Sequence, residues 1–319
     1  MSTSRQASGR KAARREAAQR RATRRRNQRY AIGAGIVVAI AVIGGLGAWW
    51  LVSGDGEDAA GQAIYSFDTT DYHSLAFDPQ DSETLYFGHH GGLKVSEDGG
   101  YSWRDGKLTG VDVMQQSVPA DGSERHFAAG HEVFSVSADG GETWSTPPNN
   151  LPALDIHGFA AAPTDGDRLY AFEIVSRSLY TSADGGVNWE SLALPPGMQA
   201  GLLPMAVGYD DPLRVFAGVG DQLIESKDGG STWEVIAAPG GAVVSVATSP
   251  DDPETLLVGT ADGLWQRNPG GGWGRLGLET DGVVLAVAVH PANPSIIAAL
   301  DQQGNLYRSN DAGATWGEG

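Results

Sequence analysis

The chain runs to 319 residues with a formal net charge of −17 and no cysteine. Without thiols it holds no disulfide, thiolate metal centre or covalently attached c-type haem, and does no thiol redox chemistry. The charge is uneven: the first 30 residues carry eleven Lys or Arg against Glu16 alone, leaving eleven basic and 38 acidic residues for the rest, a net −27 that repels nucleic acid.

Segment 1–30 reads as a basic cytoplasmic tail that sets topology and attracts lipid headgroups. Residues 31–52 carry no charge. At about 1.5 Å per residue they span roughly 33 Å, enough for one transmembrane helix. Tyr30 stands at one edge and Trp49 and Trp50 at the other, where interfacial aromatics belong. The span is long for a cleaved signal peptide, and WWLVSG at its end is a poor cleavage site, so the reading is an uncleaved anchor. Basic residues on the N-terminal side place the tail in the cytoplasm and everything after residue 52 outside. Residues 53–63 (SGDGEDAAGQA) form an acidic, flexible linker. The remaining 64–319 can bury a large core unaided, and its lack of cysteine points to a bacterial envelope protein.

From there one phrase recurs: SEDGGYSW (96–103), SADGGETW (137–144), SADGGVNW (182–189), SKDGGSTW (226–233), a worn QRNPGGGW (266–273) and SNDAGATW (309–316). Successive starts lie 41, 45, 44, 40 and 43 residues apart, a period that marks a repeat architecture. Each copy follows an alternating apolar run, a Pro-Asp-rich turn and two further short apolar runs, as in HSLAFDPQDSETLYFGHHGGLKV. Four short strands per repeat with no helix between them describe a propeller blade. Inner strands are expected near His73, Met114, His157, Leu203, Val244 and Leu285, giving an all-β, six-bladed β-propeller preceded by one transmembrane helix. Residues 64–67 are expected to add a closing strand to the last blade. Within the phrase, paired glycines supply turn angles that a Cβ forbids, and the carboxylates of Asp98, Asp139, Asp184, Asp228 and Asp311 can accept the turn's own N–H groups. Six copies around a ring cannot converge on one ligand, so their role reads as structural.

The pattern S-x-D-G-G-x-x-W resembles the Asp-box, or BNR repeat, of sialidase-like β-propellers. That resemblance implies a hairpin between the two outer strands of each blade. H-x-L-A-x-D-P, then Y-x-G-H-H-G-G-L, G-H and D-I-H-G-F, together with the boxes, resemble bacterial glycosyl hydrolase-like or sialidase-like BNR proteins from His73 to Trp316. Similar repeats occur in photosystem assembly-factor propellers and in sortilin-type receptors, which act by binding. A sialidase-like enzyme is expected to clamp a substrate carboxylate with several arginines. Of eight arginines after the anchor, only Arg177 falls in a loop on the rim that carries the histidines.

That rim is the second sequence signal. Three positions occur as Asp-x-His or Asp-x-Met, each 13 residues before an aromatic of the second strand: Asp71/His73, Asp112/Met114 and Asp155/His157. His90 and His131 each lie four residues after the same aromatic, with His89 beside His90. Antiparallel strands bring both sets to one rim of blades 1 to 3, and Glu173 joins them. His126 and His290 fall on the opposite rim. Imidazoles with a thioether favour copper, and three imidazoles suit zinc. Paired carboxylates would suit a glycosidase. The sequence supports three readings: a monomeric binding or assembly module for a protein or glycan ligand, a sialidase-like glycoside hydrolase, and a copper- or zinc-binding protein using His73, His90, Met114, His131 and His157.

Overall fold

The alternating apolar run that opens each repeat forms the innermost strand of a blade. These strands are Ser74–Phe77, Asp112–Ser117, Ile156–Ala162, Met205–Val207, Val243–Thr248 and Val284–Val289. In this computed structural model, residues 61–317 are described, except 70, 196, 199, 200 and 281. The basic tail, the expected anchor at 31–52 and most of the linker lie outside the described residues. Among the described residues no helix is long and apolar enough to cross a membrane.

Each inner strand contacts the inner strands of the blades on either side, and the last contacts the first, so six antiparallel sheets close into a propeller. The second strands, such as Leu85–His89 and Leu256–Thr260, are buried on both faces because each blade is sandwiched between two others. This is why they read as continuous apolar runs rather than alternating ones. One hydrophobic cluster fills every seam: Phe87 with Leu300 between blades 1 and 6, Leu93 with Val113, Phe134 with Phe159, Tyr170 with Met205, Phe216 with Val246, and Leu257 with Val287. Gly88 shows how tight the seams are: a Cβ there would lie 2.9 Å from the Val113 carbonyl of the next blade.

Two blades depart from four consecutive strands. Blade 2 has three, followed by a single bridge from Val136 to Ser145. Pro147 and Pro148 come next and have no N–H to continue the ladder. Blade 6 takes its outer strand from the start of the domain, as expected for 64–67: Tyr65 pairs with Leu306 and Ser66 with Asn305.

The recurring phrase folds the same way in blades 1, 2, 3, 4 and 6. In blade 3, Ser182 Oγ accepts the Gly186 N–H at 3.0 Å and donates to Asp184 Oδ1 at 2.9 Å. Asp184 accepts the Asn188 N–H at 2.8 Å, and the Trp189 indole N–H closes onto Gly186 O at 2.8 Å. Hydrogen bonds hold the equivalent Asp139 and Asp311 carboxyls down at about 2, led by those from Thr143 and Thr315. The worn copy closes differently. Asn268 uses its backbone, donating to Gly272 O and accepting from Gly271, each at 2.8 Å, and the Trp273 indole reaches out to Ala237 O.

This contrast sets an expected result. Ser182→Ala leaves the buried Gly186 N–H unsatisfied and should cost about 1–3 kcal/mol in urea unfolding. Asn268→Ala removes only an exposed side chain and should cost well under half of that. Equal losses would show that side-chain closure of the turn is not what the motif supplies.

Candidate functional site

A β-bulge recurs where the inner strands begin, and one of the histidines, His157, lies on it. In blades 2, 3, 5 and 6 the inner strand slips register by one residue at its entry, at Met114, His157, Val244 and Leu285. These are the repeat-equivalent positions of the sequence. A bulge re-aims the side chains around it and is common beside binding sites. Because the position also accepts Met, Val and Leu, the turn itself does not require imidazole.

Blade 1 supplies Asp71, His73 and His90, blade 2 supplies Asp112 and His131, and blade 3 supplies Asp155 and His157. They meet in a continuous arc. His90 Nδ1 lies 2.7 Å from Asp71 Oδ2, and its Nε2 lies 3.0 Å from Asp112 Oδ2. His131 Nε2 faces the same Asp112 oxygen at 3.7 Å, while its Nδ1 bonds Asp155 Oδ1 at 2.8 Å. His157 Nε2 meets that Asp155 oxygen at 3.1 Å. His73 Nε2 lies 3.5 Å from Asp112 Oδ1, and both of those atoms are buried without a hydrogen bond. The rings of His73 and His90 meet edge to face at 4.8 Å, as do those of His131 and His157.

Two groups of potential ligands result. His73, His90 and Asp112 offer atoms within 4.8 Å of one another, and so do His131, Asp155 and His157. The arc is graded in charge. Burial pushes the His73 imidazole down to about 4, helped by the neighbouring His90, so it is neutral at physiological pH. Burial raises the Asp112 carboxyl, against the pull of His90 and His131. The hydrogen bond to Asp155 raises His131. Burial works against Asp155, but hydrogen bonds from His131 and His157 outweigh it and hold that carboxyl well below the usual range.

The other rim residues stand apart from this arc. Met114, at its bulge, is buried at 6% exposure. His89 stacks on Phe87 and accepts the Gly91 N–H at 3.1 Å, which fixes the turn that carries His90. Glu173 is fully buried and caps the next loop, accepting the Val175 and Ser176 N–H groups at 2.7 Å each. Arg177 sits exposed at that loop's tip with φ +53°. The sequence placed these side chains on one rim but did not show that Asp112 is the common neighbour of three imidazoles. The signal that could be read was the repeat-equivalent spacing of Asp71, Asp112 and Asp155 at the entry of each inner strand, which puts a carboxylate at the same place in three adjoining blades.

On the side of the recurring turns, arginines staple blades together. Arg125 of blade 2 bonds Asp121 and, at 2.5 Å, Asp167 of blade 3. Arg308 of blade 6 bonds Glu83 of blade 1 at 2.7 Å, and Arg214 of blade 4 reaches Glu254 of blade 5 at 2.6 Å. His126 is buried, bonded to Gln116 at 3.0 Å and pushed down to about 3 by desolvation. His290 accepts two N–H groups of its own turn.

No family model matches the chain, nor does any curated protein. Solved structures do match. The GH74 xyloglucanase from Xanthomonas campestris is 17% identical, with a TM-score of 0.52 over 77% of this chain and 47% of its own. YCF48 bound to a D1 peptide is 20% identical, with a TM-score of 0.51 over 82% of this chain and 84% of its own. An ancestral GH74 enzyme is 15% identical, with a TM-score of 0.51 over 78% of this chain and 38% of its own. The chain thus spans about half the length of the xyloglucanase. At these identities the likeness is one of fold, the six-bladed β-propeller.

Proposed function

We propose that this chain is a membrane-anchored, extracytoplasmic binding or assembly module of the Asp-box propeller type. Its contact surface is the histidine–aspartate face of blades 1 to 3. The observation that carries this reading is the division of labour between the two faces. One face concentrates a connected arc of Asp and His side chains from three blades. On the other, Arg125, Arg214 and Arg308 are committed to holding blades together, and Arg177 alone on the histidine face falls short of the several arginines expected of a sialidase clamp. A domain with the acidic balance of residues 64–319 suits a cationic or neutral ligand, a protein segment or a glycan. The fold is one on which a propeller has been solved with a peptide bound.

One observation favours a second reading. Asp112 and Asp155 stand on either side of His131, at 3.7 and 2.8 Å from its two ring nitrogens, and their surroundings differ, burial raising one carboxyl and hydrogen bonds lowering the other, as in an acid and base pair. The fold is shared with GH74 enzymes. One experiment separates the two. A photocrosslinking residue replaces Val175, exposed on the histidine face, or Val187, exposed on the turn face, in intact cells. The binding reading expects a discrete adduct from position 175 alone, lost when Asp112→Asn is added. No adduct, or the same adduct from both positions, would sink it. Release of reducing ends from xyloglucan or a sialoside by the purified chain, abolished by Asp112→Asn or Asp155→Asn, would replace it with the hydrolase reading.

A further inference from the structure

The centre of the arc has a more specific chemistry than a general contact surface. Asp112 has three imidazole Nε2 atoms around one carboxylate, those of His73, His90 and His131 at 3.5, 3.0 and 3.7 Å. Carboxylates that accept ordinary hydrogen bonds do not leave a buried oxygen and a buried imidazole nitrogen facing each other unbonded. Asp112 Oδ1 and His73 Nε2 do so here. Four donors bound to zinc at about 2.0–2.1 Å in a tetrahedron lie about 3.3 Å apart; the imidazole nitrogens stand 3.0–3.7 Å from the Asp112 carboxylate, and the donor atoms of His73, His90 and Asp112 all lie within 4.8 Å of one another, close enough to draw in on an ion.

The outer contacts follow the same logic. Two of the three imidazoles are held from behind through Nδ1, His90 by Asp71 and His131 by Asp155. That hydrogen bond fixes the ring and directs the lone pair of Nε2 towards Asp112, as carboxylates do behind zinc-bound histidines. Imidazole with carboxylate is a borderline donor set that suits Zn²⁺, whereas Cu⁺ prefers sulfur, and Met114 is buried at its bulge.

The geometry points to a divalent-cation site of zinc class formed by His73, His90 and Asp112, with Asp71 as the positioning residue behind His90 and His131 adjoining the site at 3.7 Å from the same carboxylate. The site joins blade 1 to blade 2 on the face carrying the arc, and the His90 side chain is 42% exposed, so a cation can enter from solvent. This inference is independent of what else the face binds.

The test uses the full chain, purified without a polyhistidine tag and stripped with chelator. Calorimetric titration with zinc chloride should show one equivalent bound, retained through dialysis and seen by elemental analysis. His73→Ala and Asp112→Asn should each abolish stoichiometric binding. Asp71→Asn should keep one equivalent but weaken it about 10–100-fold, the usual cost of losing a carboxylate behind a ligating histidine. His290→Ala, on the opposite face, should bind as the parent does. Near-UV circular dichroism checks folding. Should His73→Ala unfold, His90→Gln replaces it, because that partly exposed side chain is not part of the core. The site is overturned by no stoichiometric zinc in the parent chain, by zinc retained in a folded His90→Gln, Asp112→Asn double variant, or by equal loss in His290→Ala. The readout is the metal alone, so its failure leaves the binding reading standing.

Discussion

Arg214→Ala is expected to destabilise the propeller by about 3–5 kcal/mol, because it strands a buried carboxylate. The Arg214 side chain is only 10% exposed and its partner Glu225 only 7%. Nε bonds Glu225 at 2.6 Å within blade 4, while Nη1 and Nη2 cross the seam to Pro253 O at 2.8 Å and Glu254 at 2.6 Å. Its guanidinium also lies 5.0 Å from the Phe216 ring centroid. The nearest cation left for Glu225 is Lys227 at 3.7 Å, on an exposed side chain that can compensate only in part. For a domain of this size each kcal/mol moves Tm by about 2–4 °C, so the melt should fall by roughly 6–20 °C. The account has an internal check. Replacing the pair together, as Arg214→Met with Glu225→Leu, should recover most of the loss, since well-packed apolar residues often match a buried ion pair. A single variant that melts within a degree or two of the parent would show that the seam does not depend on the staple.

The ring of blades was legible because its cause is local and repeated. LYFG and LLVG are second strands, and each is continuous in apolar residues because neighbours cover both of its faces. The expected starts of the inner strands fall within about two residues of the observed ones, since the Asp-x-His and equivalent positions precede a conspicuous apolar run. The missing outer strand of blade 2 was not anticipated, although Pro147 and Pro148 stood in the sequence to explain it. A count by repeats treats every copy alike, and proline acts on one copy only.

The candidate site was legible as a rim and not as a centre. The reversal of direction between first and second strands places His73, His90, His131 and His157 at one rim. Repeat equivalence grouped His73, Met114 and His157, yet His73 falls with His90 and Asp112, and His157 with His131 and Asp155. Equivalence in a repeat marks the same place in different blades, whereas contact depends on which blades adjoin. Met114 also shows what a bulge does to a period-two reading: the register shift between Val113 and Gln115 falls on it, and counting two residues from Asp112 no longer predicts a shared face. The convergence on Asp112 comes from the spacing between blades, which the seams set and no local pattern encodes.

Those seams end at a closure that one side chain dominates, and Phe67→Ala should cost about 3–5 kcal/mol, as buried Phe truncations do. Phe67 is 6% exposed at the junction of blades 6 and 1. Its ring lies 4.0 Å from that of Phe87 and 5.1 Å from that of Trp103, both in blade 1. Its own strand belongs to blade 6, where the Ile64 and Phe67 N–H groups donate to Leu306 O and Gly304 O at 2.9 Å each. One residue therefore ties the first strand of the domain to the last blade by backbone and to the first blade by packing. Tyr65→Ala should cost clearly less, because that half-buried ring touches the edge of the same cluster. Deleting 61–67 should do more than sum these losses. It leaves the Asn305–Ser309 strand as an open sheet edge, which invites pairing with a second chain. The expected result is a lowered urea midpoint for Phe67→Ala with the same light-scattering mass as the parent, and additional concentration-dependent association for the deletion. A deletion variant that matches the parent in both scattering mass and melting would show that the ring is closed by its inner strands alone.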